Sequence, residues 1–256
     1  MVLPILSFAK NGPEVSDFIR FKERTSTSKS EHLETAIVRY ENPGTQTTID
    51  LVAVIHIGDR LYFQKLNAAL KSYQTVFYEA VGNDFPKSKK PAEPKKQNIP
   101  FSDRQQAVAY LGLQQQRNWI DYEAKNFVHA DLSWKELYDL MAIRNQSLTT
   151  TFQKLHRLSN QGKSPGSGMA SAATGRLTGG DPLELKRNMA RSMSEDEKLA
   201  AQLESHGGTV IVTDRNNAVM EKLNAAINAP ESEGTPKKFA IFFTEPLTCP
   251  ISKNVS

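Results

Sequence analysis

An unbroken apolar run near residue 50 constrains the fold of this chain more than any other feature. Residues 50–57 read DLVAVIHI, in which only the aspartate and the histidine are polar. A strand with one face in solvent would alternate apolar and polar residues, so a continuous run indicates a strand buried on both faces. Such strands are typical of parallel sheets covered by helices on both sides, which predicts an α/β fold.

The residues that lead into this run predict a β-hairpin. Residues 33–40 and 47–57 are rich in β-branched side chains, and the Glu-Asn-Pro-Gly sequence at 41–44 between them is a strong turn signal. The hairpin would place an antiparallel strand beside the buried one.

The residues that follow the run predict a β-α-β unit. Apolar residues at 61, 66, 69, 70 and 73 have helical spacing, and residues 75–81 (TVFYEAV) have the composition of a strand. A connection of this length makes the two strands parallel neighbours with a right-handed crossover.

The remaining elements complete a single predicted domain at 30–243, with a central, mostly parallel sheet, an N-terminal hairpin and helices on both faces. Two helix starts have capping-box spacing, Ser102 with Gln105 and Ser133 with Glu136. The later elements are predicted as helices at 147–158, 182–206 and 216–227 and as strands at 209–213 and 238–243.

Two segments have the composition of mobile loops. Residues 86–100 are rich in proline and lysine, and we favour a solvated loop over a site for an anionic partner. Residues 161–181 are rich in glycine, serine and alanine, which favours a connector over a lid. Because much of the net charge of +4 lies in the first loop, we predict no nucleic-acid partner.

Composition excludes several other classes of protein. No apolar run approaches the roughly 18 residues that a membrane span needs, so we predict no stable span. The N-terminus is too short for a complete signal peptide; the chain as written is predicted to be soluble, and exported only if its true start lies upstream. The single cysteine, Cys249, excludes a disulfide framework and a cysteine-ligated metal site.

Polar side chains close both strands of the β-α-β unit. His56 follows the apolar run and Glu79 follows Val-Phe-Tyr at 76–78. Ligands bind at the carboxyl edge of parallel sheets, so an imidazole and a carboxylate there suit a metal site or a general-base pair. The alternatives are a hydrogen-bonded core histidine and a glutamate that caps the next helix.

Two later residues are further candidates. Arg215 begins the helix after the predicted strand at 209–213, where it could hold a carboxylate or an oxyanion. The alternative is a surface pair with Glu221, with Asp214 as the helix N-cap. His129 precedes a capped helix, where bonding to the backbone is favoured over a role in a pocket.

Four segments together resemble the TraB/PrgY/TIKI family, a group of pheromone-shutdown proteins and metalloproteases distantly similar to erythromycin esterases and ChaN-like proteins. DLVAVIHIGDRLYFQKLNAAL and YQTVFYEAVG resemble the opening of the family. AYLGLQQQRNWIDYEAKNFVHADLSWKELYDLM and VIVTDRNNAVMEKL resemble its middle and late blocks. The resemblance covers most of residues 33–243.

The resemblance implies a set of site residues. The family pattern has a Gly-x-x-His motif, a glutamate on the next strand, a late arginine and a second Gly-x-x-His. On this chain these correspond to His56, Glu79 and Arg215, with Ala53 in place of the first motif glycine. His56 and Glu79 are then expected to hold a divalent metal ion, with Glu79 and Arg215 as the catalytic residues.

The second Gly-x-x-His is absent from this sequence. Residues 244–256 follow the last predicted strand instead, and they contain two prolines and no helical periodicity. Codons can be chosen for residues 244–256 such that an overlapping frame, which begins at the last base of the Phe243 codon, reads Tyr-Gly-Ala-Ala-His directly after Phe-Ala-Ile-Phe, where the family places its second motif. The tail is therefore predicted to be aberrant, either a truncation or a frameshift.

The function that the resemblance implies is metal-dependent hydrolysis of a peptide or other acyl substrate, which the tail could leave inactive. A non-catalytic protein that binds a peptide or signal, like the pheromone-shutdown members, is the alternative. A haem- or iron-binding module like the ChaN relatives is a third.

Overall fold

The computed structural model describes residues 5–7, 18–26, 30–82, 108, 110–151, 153, 181–205, 208–229 and 236–243. The predicted loop at 86–100, most of that at 161–181, the capping box at 102–105 and the tail at 244–256 lie outside the described residues.

A six-stranded sheet forms the centre of the described structure. Its strands in chain order are β1 (Ile5–Ser7), β4 (Ile37–Asn42), β5 (Thr47–Ala53), β7 (Thr75–Tyr78), β9 (Phe127–His129) and β10 (Lys237–Phe243). In space the order is β1-β4-β5-β10-β7-β9, and only the β4–β5 hairpin is antiparallel. The predicted central, mostly parallel sheet with an N-terminal hairpin is confirmed.

Two small sheets flank the central one. One pairs β2 (Ile19–Lys22) with β3 (His32–Thr35), and the other pairs β6 (Ile57–Gly58) with β8 (Gln114–Gln115). Phe18, just before β2, packs its ring edge-on against Phe243 at the end of β10, with 5.2 Å between ring centroids. Residues before position 30 thus also contribute to the core.

The prediction that β5 and β7 are neighbours is wrong. Strand β10 lies between them and pairs with both in parallel. Its last five residues, FAIFF, are all buried, so this strand requires cover on both faces and on both edges. The centre of the sheet provides that cover, although the strand comes last in the described sequence.

Helices cover both faces of the sheet, as predicted. Helix α1 (Arg60–Leu70) buries Phe63, Leu66 and Leu70 on the face formed by residues such as Val52 and Val76. On the opposite face, helix α4 (Arg215–Ile227) buries its own apolar stripe, Val219 and Leu223, against Leu51, Phe77 and Ile241. Alternate side chains of the same strands therefore support two separate layers.

Two further helices complete the described part. Helix α2 (Trp134–Ile143) begins with the predicted capping box, in which the Ser133 hydroxyl accepts from the Glu136 N–H and the Glu136 carboxylate accepts from the Ser133 N–H. Helix α3 (Pro182–Ser205) packs against β2 and β3.

The short strand predicted at 209–213 is wrong. Residues Val210–Asp214 form a π-helical turn that continues directly into α4. The Thr209 hydroxyl accepts a hydrogen bond from the Val212 N–H at the start of this turn. Val210 packs with Leu137 and Met141 of α2. Tertiary packing therefore overrides the strand preference of a β-branched run.

Candidate functional site

Glu79 stands at the carboxyl edge of the central sheet, directly after β7. Its backbone N–H donates to the Phe242 carbonyl of β10 at 3.3 Å. The register of β5, β10 and β7 sets Glu79 level with Ala53 and Phe243. Its side chain is only 2% exposed. The predicted position at the strand end is correct, and the carboxylate is sealed from solvent.

Arg215 lies beside Glu79 rather than on the surface. Its Nη2 is 3.6 Å from Glu79 Oε2, and its side chain is 8% exposed. Helix α4 precedes the parallel strand β10 and runs back across the sheet, so its first residue stands at the carboxyl edge. The alternative of a surface pair with Glu221 is therefore wrong. Asp214 makes no capping bond with its side chain and instead accepts from Arg144 at 2.7 Å.

Asp131 holds the Arg215 guanidinium and was not found by sequence reasoning. Arg215 Nη2 donates to Asp131 Oδ2 at 2.7 Å, and Nε donates to both carboxylate oxygens at 3.0 and 3.1 Å. Asp131 follows β9 by two residues, so it reaches the same sheet edge as Glu79. The signal in the sequence was an acidic residue shortly after Phe-Val at 127–128, but β9 itself was not predicted.

The edge cluster consists of Glu79, Asp131 and Arg215. Among the described residues, its ion pairs join the two carboxylates to one guanidinium. The Asp131 and Glu79 side chains are 0% and 2% exposed. The cluster therefore places charged groups, held away from solvent, at the edge of the sheet where parallel α/β proteins bind ligands.

His56 lies three residues beyond β5 and is exposed. Its Nδ1 is 3.0 Å from Gln116 Oε1, and Gln116 Nε2 donates to the Tyr122 hydroxyl at 2.8 Å. Because the Gln116 amide nitrogen serves Tyr122, its oxygen accepts the proton on His56 Nδ1. The basic nitrogen of the ring is then Nε2, the arrangement that a histidine ligand or base requires.

Tyr122 anchors this hydrogen-bonded chain in the core. Its ring packs against Tyr78 with 5.0 Å between centroids. Burial raises the pKa of Tyr122 well above its ordinary value, and the bond from Gln116 opposes that shift. The hydroxyl therefore stays protonated at physiological pH and keeps Gln116 in one orientation.

The distance between the two predicted ligands is larger than the sequence indicated. Since β10 separates β5 from β7, the two strands are about 9.6 Å apart, twice the usual strand spacing. A shared site of His56 and Glu79 requires both side chains to reach across the end of β10. It stays a prediction.

His129 does not join this edge as a ligand. It lies in β9, and its Nε2 is 2.6 Å from the Ala80 carbonyl oxygen, to which it donates. The expected bond to the backbone is confirmed.

The described residues fit a metal site in chemistry but not in number. Among them, no three histidine, cysteine, aspartate or glutamate side chains come together as ligands. His56 has the tautomer of a ligand, and Glu79 is a buried carboxylate at the carboxyl edge of the sheet. Within the same part of the chain, no helix has the length and apolar character to cross a membrane.

Comparison with protein-family models, with curated proteins and with solved structures found no significant match to this chain.

Proposed function

We propose that this chain is a metal-dependent hydrolase of the TraB/TIKI type that acts on a peptide or another acyl substrate. The observation that supports the proposal is the buried cluster of two carboxylates and one guanidinium at the sheet edge where parallel α/β proteins bind ligands.

Each residue of the edge has a role in this proposal. His56 and Glu79 would hold the ion, with the remaining ligands supplied by water or by residues outside the described ones. The ion would supply Lewis-acid activation of water or of the substrate carbonyl. Arg215 would stabilise negative charge on the carbonyl oxygen, and Asp131 would orient its guanidinium through the two-pronged bond.

Access to the site is a requirement of the proposal. Glu79 and Arg215 are almost closed to solvent, whereas His56 is exposed. A substrate therefore meets His56 first, and a reaction at Glu79 would require that this edge open to the substrate.

The proposal is tested by metal binding and by cleavage in the same preparations. Elemental analysis and calorimetric titration with Zn²⁺, Co²⁺ and Mn²⁺ would be run on the wild-type chain, on Glu79→Gln and on His56→Ala, followed by digestion of a peptide library. His32→Ala is the matched histidine control, because its Nε2 pairs with Glu34. We expect one ion per wild-type chain, at least tenfold weaker binding in the two site variants, and no change in the control. A wild-type chain that neither binds metal nor cleaves any peptide would contradict the proposal.

A non-catalytic peptide-binding protein is the second candidate. The nearly complete burial of Glu79 and Arg215 favours it, since binding needs no reacting group at the surface. Retention of library peptides without cleavage, unchanged in Glu79→Gln, would identify this function.

A further inference from the structure

A pocket of roughly 240 Å³ lies between helix α3 and the chain segment 55–59. None of the residues of the edge cluster lines it. Most of its wall is apolar and comes from elements far apart in sequence, including Phe21, Ile57, Tyr62, Leu113, Met189 and Met193.

The charges at the mouth of the pocket are matched within the protein. Lys186 of α3 pairs with Asp59 at 2.9 Å, and Arg187 of the same helix pairs with Glu31. His32, also at the mouth, lies 3.0 Å from Glu34. A charged ligand would have to break one of these pairs or remain unmatched beside them. The mouth therefore favours a ligand without net charge.

The interior of the pocket offers apolar contact surface rather than hydrogen-bonding groups. The Tyr62 hydroxyl is 3.1 Å from the Thr35 hydroxyl, so the tyrosine presents its ring to the pocket. Met189 and Met193 have flexible, polarisable side chains that adapt to ligand shape. Binding of an apolar ligand would remove the apolar surface of the pocket from water, which would stabilise the complex.

The volume sets the size of the ligand. A closed apolar cavity of about 150 Å³ is enough to bind benzene, and pockets for drug-sized ligands begin near about 300 Å³. The pocket lies between these limits, which corresponds to one aromatic ring with a short alkyl chain.

We propose that this pocket is a binding site for a small, uncharged, apolar ligand of that size. None of the residues assigned to the proposed hydrolytic centre, His56 included, lines this pocket, and the proposal holds whether or not the chain is a hydrolase.

Three probes with the same apolar body test the proposal on the full chain. Butylbenzene, 4-phenylbutyrate and 4-phenylbutylammonium are neutral, anionic and cationic, and their binding is measured by saturation-transfer NMR and by the shift in melting temperature. We expect butylbenzene to raise the melting temperature saturably. It should bind at least tenfold more tightly than either charged probe. The absence of butylbenzene binding would overturn the proposal. This result is expected if the chain's own residues fill the pocket. Equal binding of a charged probe would overturn the requirement for a neutral ligand.

Substitutions on α3 locate the binding. Ala190 lines the pocket, and Ala190→Phe should fill it and weaken butylbenzene binding at least tenfold. Asn188→Phe adds the same side chain to an exposed position of the same helix and should leave binding unchanged. If Ala190→Phe does not fold, Met189→Ala serves instead, since the enlarged pocket should shift the preference to hexylbenzene. Wild-type affinity in a folded Ala190→Phe, or an unchanged preference in Met189→Ala, would place the ligand elsewhere and overturn the proposal.

Discussion

Arg39 and Arg215 each hold a carboxylate that is sealed from solvent, but the two ion pairs differ in their origin and in the exposure of the arginine. Arg39 and Asp50 face each other as cross-strand partners on β4 and β5. Arg215 of the edge cluster meets carboxylates that lie far away in the sequence, after β7 and β9. The first ion pair is therefore a product of one hairpin, and the second exists only in the folded chain.

The sheet cluster of Arg39, Asp50 and Tyr73 is closely hydrogen-bonded. Arg39 Nε and Nη2 each donate to Asp50 at 2.8 Å, and the Tyr73 hydroxyl donates to the same carboxylate at 2.6 Å. Burial and the bond to Asp50 raise the pKa of Tyr73 above its ordinary value, so its hydroxyl stays a donor. Close geometry and several hydrogen bonds are what a buried ion pair needs for stability.

In the edge cluster all three charged side chains are at most 8% exposed, whereas Arg39 of the sheet cluster is 34% exposed. A charged group that loses its partner is costly where water cannot reach it. Loss of a partner should therefore cost more at the edge than in the sheet. Substitutions in the two clusters test this difference.

The largest effect is expected for Arg215→Met. Removal of the guanidinium leaves two buried carboxylates without their cation, which should lower the free energy of unfolding by about 4 kcal/mol. Urea denaturation at pH 7 measures it. Lys135→Met is the control, because Lys135 forms an exposed pair with Asp139 and its loss should destabilise the protein far less than that of Arg215. Equal losses in the two variants would show that the edge cluster contributes no more than a surface pair.

A somewhat smaller loss is expected for Asp50→Asn. The neutral amide leaves Arg39 with an incomplete partner inside the sheet, which should cost about 3 kcal/mol in the same urea assay. Glu41→Gln is the matched control, because Glu41 is exposed and lies 4.0 Å from the same arginine. A loss below about 1 kcal/mol would mean that the sheet cluster is not a structural requirement.

The capping box of α2 shows how much a single exposed helix cap contributes to the free energy of unfolding. Ser133→Ala should lower the free energy of unfolding by about 1 kcal/mol. The hydrogen bonds from Ser133 lower the pKa of Glu136, so this contribution is complete at neutral pH and is lost as the pH falls below about 4.3. Urea titrations at pH 7 and pH 3 should therefore show a smaller difference between wild type and variant at pH 3. An equal difference at both pH values would exclude the role of the Glu136 carboxylate.

Several secondary-structure elements have signals that lie within a short stretch of sequence, and these elements were predicted correctly. The apolar run at 50–57 indicated the buried strand β5, the helical spacing after residue 60 indicated α1, and Ser133 with Glu136 indicated the start of α2. The positions of Glu79 and Arg215 at the carboxyl edge also followed from local reasoning, since each ends or begins an element. These signals are readable because the periodicity of burial is fixed by backbone geometry within a few residues.

Which of these elements meet depends on the fold of the whole chain. Strand β10 separates β5 from β7, the β-branched residues before α4 form a π-helical turn, and Asp131 holds Arg215 across 84 positions of sequence. Strand order and ion pairing between distant residues depend on how whole faces bury one another, and no short window of sequence carries that information. The edge cluster is therefore a property of the fold, although each of its three residues is visible in the sequence.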